Sequence, residues 1–93
     1  MVNLVLHLKR EYFDQIKSGE KTEEYRENTP YWRARLAGRQ YDNIVLCCGY
    51  PTLDDKENTI IRKWNGYTRK VVDVPLFGGA TSVYAIDVSQ ATP

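Results

Sequence analysis

The sequence predicts an α+β fold in which about six short strands and two short helices build a small barrel. Three observations lead there. Apolar residues alternate with period two in several short runs, helical spacing takes over in only two places, and turn residues recur often enough to keep every element short. So many short strands in one small chain call for buried edges, and closing the sheet on itself buries them. The chain has 93 residues, material for a single domain over 1–93 with one core.

The elements follow in order. Leu4, Leu6 and Leu8 alternate with Val5 and His7, as in a strand. Over residues 10–18 Tyr12, Phe13 and Ile16 share a helical face, while Arg10, Glu11, Asp14 and Lys17 face water. Gly19 stands just past the helix end, where a left-handed backbone is needed. Residues 22–26 form a short strand. Thr29-Pro30 supplies an N-cap and a proline at the first helical position, opening a second helix through Leu36 that Gly38 closes. Ile44 to Cys48 is a compact apolar run, a central strand. A polar, acidic loop spans 49–58. Thr59 to Trp64 is rich in strand formers, and Asn65-Gly66 is the strongest hairpin signal in the chain, with a partner strand from Tyr67 to about Val74. Residues 75–81, with Gly78-Gly79, form a turn or mobile loop. The last strand covers 82–88, and 89–93 is a tail.

Composition bounds the function. At 42% hydrophobic and 27% charged, with a formal net charge of +1, this is the make-up of a soluble globular protein with no global field for nucleic acid. Any such partner must be met by local patches. No apolar run approaches the roughly 20 residues that cross a bilayer, so no membrane partner is expected. The N-terminal run lacks a basic region and a cleavage site and does not read as a signal peptide. Cys47 and Cys48 are the only cysteines, and neighbours on a strand point to opposite faces, which disfavours a mutual disulfide or a shared metal site. His7 is the single histidine, so metal-ligand spacing is absent. Neither metal nor cofactor is expected, and a reducing, cytoplasmic setting fits. Oligomeric state is not legible.

The run Gly19-Glu20-Lys21-Thr22-Glu23-Glu24-Tyr25-Arg26 is the richest in chemistry. On a strand Glu24 and Arg26 share a face about 7 Å apart, with Lys21 in the turn leading in. If the three converge, two cations keep Glu24 ionised and Glu24 keeps Lys21 protonated. Lys21 is then a binder of phosphate or carbonyl oxygen, and only desolvation would make it a base. Tyr25 points to the other face and reads as structural. The alternative is a solvated turn with surface ion pairs worth under about 1 kcal/mol each.

A second patch lies on the 59–74 hairpin. Arg62, Lys63, Arg69 and Lys70 interleave with Trp64 and Tyr67 against one acid, Asp73. A two-residue turn at Asn65-Gly66 sets Trp64 across from Tyr67 and Arg62 opposite Arg69, a like-charge pair that a bound phosphate would relieve. Cations beside aromatic platforms suit single-stranded RNA. The alternative is a solvated hairpin whose Trp64 covers one end of the core. Arg33, Arg35 and Arg39 make a third basic group on the second helix, where Tyr31 or Trp32 could line a cleft beside Arg26, although Trp32 and Leu36 at i, i+4 also read as core. His7 reads as a hydrogen-bonded structural residue, Cys48 lacks a partner for nucleophilic work, and Gly78-Gly79 lacks the context of a phosphate loop.

Leu6-His7-Leu8-Lys9, Tyr12-Phe13, Ile16 and then Gly19-x-Lys21-x-x-Glu24-x-Arg26 resemble the ASCH domain family. The resemblance is dense over residues 4–26 and looser through Gly49-Tyr50, Trp64-Asn65-Gly66-Tyr67 and the final strand. It implies a PUA-like β-barrel with a cleft beside it and this motif on the cleft wall. RNA binding is the role proposed for the family, and some relatives are enzymes: an amidohydrolase acting on N4-acetylcytidine, and ribonucleases. Lys21 matches the lysine that serves that amidohydrolase as general base. Its nucleophile is a threonine three residues on, where this chain has Glu24, and Thr22 is only one residue on. Asp73 or Asp87 occupies the region of its acidic partner.

The expected function is therefore binding of RNA or a modified nucleoside, with Gly19, Lys21, Glu24, Arg26, Trp32, Arg62, Lys63, Trp64 and Arg69 as ligand-binding residues. The rivals are a small hydrolase or ribonuclease, with Lys21 and Glu24 catalytic, and a non-catalytic protein-interaction module.

Overall fold

The computed structural model describes residues 2–52 and 54–91, with the backbone alone at positions 74 and 76. In chain order it runs β1 (Asn3–Leu8), α1 (Arg10–Ser18), β2 (Glu23–Glu27), α2 (Pro30–Leu36), β3 (Asn43–Cys48), β4 (Thr59–Lys63), β5 (Tyr67–Val74), a single 3-10 turn (Pro75–Phe77) and β6 (Gly79–Asp87). The six strands form two three-stranded sheets, in the orders β1-β3-β4 and β2-β6-β5. β1 and β3 are parallel, Leu4 beside Ile44 and Leu6 beside Leu46, and every other pairing of named strands is antiparallel. Between β1 and β3 the chain therefore crosses through the other sheet, leaving α1, β2 and α2 in the crossover.

Local chemistry accounts for the helices. Phe13 and Ile16 are the buried residues of α1, and Gly19 follows it at φ 86°, its N–H donating to the Ile16 carbonyl. A glycine there takes up the left-handed bend without a Cβ clash. Thr29 caps α2, its hydroxyl accepting from the Trp32 N–H at 3.3 Å, with Pro30 at the first helical position. The helix ends at Ala37, one residue before Gly38.

One core cluster draws on both sheets and both helices. Leu4, Leu6 and Leu8 of β1 meet Phe13, Ile16, Leu36, Ile44 and Leu46, with Tyr84 and Ile86 from the second sheet. Burying side chains of this size contributes about 1.5–3 kcal/mol each, which is what holds two short helices in place.

The 59–74 hairpin is not formed. β4 pairs with β3 and β5 with β6, so the strands flanking Asn65-Gly66 belong to different sheets. Gly66 does adopt a left-handed turn, at φ 81°, but the turn carries the chain from one sheet to the other. Burial decides the matter: in β4 it is Ile60 that reaches the core, and it does so beside Leu46. Asn65 then anchors the crossing through its amide, which donates to the Asp87 carboxylate at 2.6 Å. Arg62 consequently lies beside Ile44 and Arg69 beside Tyr84, and the expected like-charge pair does not exist. The last strand also begins earlier than expected, at Gly79, because β5 and β6 pair all the way to Val74 and Gly79. Across the outer edge of β4, the Lys63 N–H donates to the Gln90 carbonyl, and Arg62 makes an isolated bridge with Ala91.

Candidate functional site

Past Gly19 the chain is pinned by two backbone bonds, Lys21 N–H to the Gln15 carbonyl at 3.0 Å and Val88 N–H to the Thr22 carbonyl at 2.9 Å. These set Lys21 in the turn and deliver Glu24 to the inner face of β2, beside Ile86. Glu24 is 5% exposed and is the buried charged residue of the described chain. Its carboxylate is held from both sides: Lys21 Nζ lies 3.6 Å from Oε1 and Arg26 Nη1 lies 3.1 Å from Oε2. The convergence expected from the sequence is present. Burial nevertheless pushes the Glu24 carboxyl up, and the charges of Arg26 and then Lys21 pull it back only in part, so the net shift is upward.

Arg26 has a second task. Its Nη2 donates to the His7 carbonyl at 3.0 Å, so one guanidinium ties β2, at the edge of one sheet, to β1, at the edge of the other. A cleft opens along this seam. Its first lobe, about 530 Å³, is lined by Leu8, Tyr12, Lys21, Glu24, Tyr25 and Phe77 among others. The second, about 680 Å³, runs on towards α2 past Val5, Thr29, Tyr31, Trp32 and Arg35. The lobes share His7, Tyr25, Arg26 and Phe77.

Aromatic rings orient the cations. Lys21 Nζ sits 4.8 Å from the centre of the Tyr25 ring and 5.6 Å from that of Tyr12. The Arg26 guanidinium carbon is 5.3 Å from the Trp32 ring centre. Such contacts contribute about 0.5–2 kcal/mol each and fix where the charge points. Tyr25 and His7, both read from the sequence as structural, line the cleft. Strand alternation sets Tyr25 opposite Glu24, but Lys21 comes from the turn before β2 and reaches back over its ring. Lysine and tyrosine at positions 21 and 25 were the available signal. His7 also donates from Nδ1 to the Gly49 carbonyl at 2.8 Å and packs on Tyr50, ring centres 4.5 Å apart. Phe77 carries no local signal at all, since the 3-10 turn meets the cleft only through tertiary structure.

The structure brings Lys21, Glu24, Arg26 and Trp32 together and sets the remaining candidates elsewhere. Gly19 shapes the turn. Arg62 is consumed by backbone carbonyls: Nε donates to Val88 at 3.1 Å and Nη2 to Ile16 at 3.2 Å. Trp64 packs against the core and meets Tyr41 edge-on at 5.1 Å. Lys63 and Arg69 are exposed strand residues, and neither lines a lobe. Asp73 is exposed on β5, and Asp87 is occupied by Asn65 and by the N–H and hydroxyl of Ser89. Burial pushes the Asp87 carboxyl up, the bonds from Ser89 and Asn65 outweigh it, and the net shift is downward.

Among the described residues no group of three or more His, Cys, Asp or Glu could hold a metal ion, and no helix is long and apolar enough to cross a membrane. No protein-family model, no curated protein and no solved structure matches the chain.

Proposed function

We propose that the chain binds RNA or a modified nucleotide in the seam cleft, with a base in the first lobe. The observation that carries this reading is the buried Glu24 carboxylate, held between Lys21 and Arg26 on the wall of a concave, aromatic-sided space. Burying a carboxylate is costly, and a chain that needed only stability would be served as well by an apolar side chain there. A carboxylate beside two cations supplies what a base edge asks for: an acceptor for an exocyclic amino group and donors for ring carbonyl oxygens. Tyr12, Tyr25 and Phe77 offer the flanking surface on which a flat ring packs. The lobe volume falls within the few hundred to a thousand Å³ usual for small-molecule sites.

The motif resemblance points the same way. In this reading the two sheets are a PUA-like barrel of ASCH type, and the seam between β1 and β2 is its ligand cleft. Binding is preferred over hydrolysis because the first lobe offers no aliphatic hydroxyl or thiol, among the described residues, at the place the amidohydrolase has its threonine. Among the described residues no serine, threonine or cysteine lines the first lobe, and Thr29 in the second has its hydroxyl engaged as the cap of α2. Neither Asp73 nor Asp87 reaches the cleft to act as an acidic partner.

The test is a titration of single-stranded RNA and nucleotides against the wild type and Lys21→Ala, repeated across salt concentrations. The wild type is expected to bind at low salt and to weaken steeply as salt rises, with Lys21→Ala at least about 10-fold weaker and still folded. Absence of any affinity at low salt removes the binding reading. Turnover of N4-acetylcytidine that disappears in Lys21→Ala would replace it with the hydrolase.

A further inference from the structure

We propose that the second lobe is a phosphate subsite centred on Arg35, so that the ligand of the cleft is phosphorylated rather than a bare nucleoside. The proposal rests on the reading of the first lobe as a base site and adds the chemistry of the group next to it.

Arg35 is half-buried, and its guanidinium carbon lies 5.4 Å from the Tyr31 ring centre and 5.6 Å from that of Trp32. The two rings meet edge-on at 5.1 Å and make a corner for the planar group. Among the described residues no carboxylate pairs with Arg35, and its side chain donates to no carbonyl or hydroxyl. Its Nε is sealed from solvent without an acceptor, and so is Nε of Arg26. Arg26 also stacks on Trp32, but its Nη atoms already serve Glu24 and His7. Arg35 is therefore the guanidinium of this cleft whose outer donors are uncommitted.

Such an arrangement disfavours the free protein. A cation is partly desolvated against aromatic rings, one of its donors is sealed without an acceptor, and its outer donors have only water. An anion in the lobe would remove the conflict, and a planar fork matches phosphate oxygens two at a time. α2 adds no acid to oppose it, and Glu27, the acid lining this lobe, is exposed. The shared wall of His7, Tyr25 and Arg26 makes the lobes continuous, so one ligand can place a base in the first and its phosphate in the second.

The experiment follows the Arg35 Nε–H resonance by NMR during titration with inorganic phosphate, four nucleosides, their 5′-monophosphates and a mixed-sequence RNA octamer. Affinities and salt slopes are then measured for Arg35→Gln and Arg35→Lys. Phosphorylated probes are expected to shift the resonance and nucleosides to leave it in place. Arg35→Gln should weaken RNA binding about 10-fold for every sequence and reduce the salt slope by about one, while Arg35→Lys retains part of the affinity. Because the Arg35 side chain makes no hydrogen bond or ion pair with a described residue in the free protein and both replacements keep a long stem, the variants lose only part of its stacking on Tyr31 and Trp32, and circular dichroism is expected to show both folded. Response to the octamer but not to monophosphates also supports the proposal and identifies the phosphate as that of an RNA backbone. If Arg35→Gln leaves every affinity and slope unchanged while Lys21→Ala abolishes binding, the phosphate subsite is overturned and the base site stands. A shift with inorganic phosphate but no RNA or nucleotide binding supports the anion site and overturns the base site. No response to any probe overturns both.

Discussion

Replacing Arg62 with methionine separates two roles for this residue. Its guanidinium donates to the Val88 carbonyl at 3.1 Å and the Ile16 carbonyl at 3.2 Å, linking β4 to the end of α1 and to the chain just past β6. Methionine keeps the long apolar stem and removes the donors, so the measurement isolates the hydrogen bonds from the packing. A hydrogen bond from a charged donor contributes about 1.5–3 kcal/mol. Two such bonds at a half-buried side chain, discounted because the Ile16 carbonyl also receives the Gly19 N–H, come to roughly 2–3 kcal/mol. For a domain of this size each kcal/mol moves Tm by about 4–8 °C, so the expected fall is roughly 10–20 °C. Thermal and urea unfolding followed by circular dichroism measure it, and RNA titration at low temperature measures binding alongside. Binding should be little changed, because Arg62 does not line the cleft. An unchanged Tm together with a loss of RNA affinity would refute the reasoning and return Arg62 to the ligand-binding set.

Two pH dependences follow from the carboxylates. Glu24 has a folded-state pKa raised above 4.5, so the folded state holds its proton more tightly, and its contribution is present below 4.5 and lost as pH rises through the folded value. The urea-unfolding free energy of the wild type minus that of Glu24→Gln should therefore decline with pH in that window, and a rise there would contradict the burial argument. Asp87 has the opposite sign: its folded pKa lies below 3.8, so its contribution is present above 3.8 and lost as pH falls. Asp87→Ala should cost about 1 kcal/mol near neutral pH, with the difference shrinking in acid. A cost that stays constant down to pH 2 would mean that its bonds to Asn65 and Ser89 carry no charge contribution.

Elements with local determinants were legible in the sequence. The period of Leu4, Leu6 and Leu8, the glycine after α1 and the Thr29-Pro30 cap each act over a few residues, and each is where the chain pattern put it. The convergence of Lys21, Glu24 and Arg26 was also legible, because turn and strand geometry alone brings them within reach. Partner choice was not. Asn65-Gly66 specifies a bend, and the left-handed Gly66 supplies one, but which strand lies next to β4 is decided by where Ile60 finds its cover. Arg62 was misread for the same reason: a charge placed on a presumed hairpin surface in fact reaches carbonyls from two distant elements. Tyr25 and Phe77 escaped because the seam between β1 and β2 is a tertiary feature that no window of sequence contains.

The crossover between β1 and β3 has a consequence for how recognition could be rewritten. Among the described residues, all those lining the two lobes except Pro75 and Phe77 come from one uninterrupted stretch, positions 5–35. β3 to β6 supply the frame on which that stretch is mounted. If the cleft binds as proposed, its preference can be exchanged as a single cassette, by grafting this stretch onto a related frame, provided the inward leucines of β1 and the pairing of β2 with β6 are kept. In that sense the molecule carries its cleft and its chassis in separate parts of one chain.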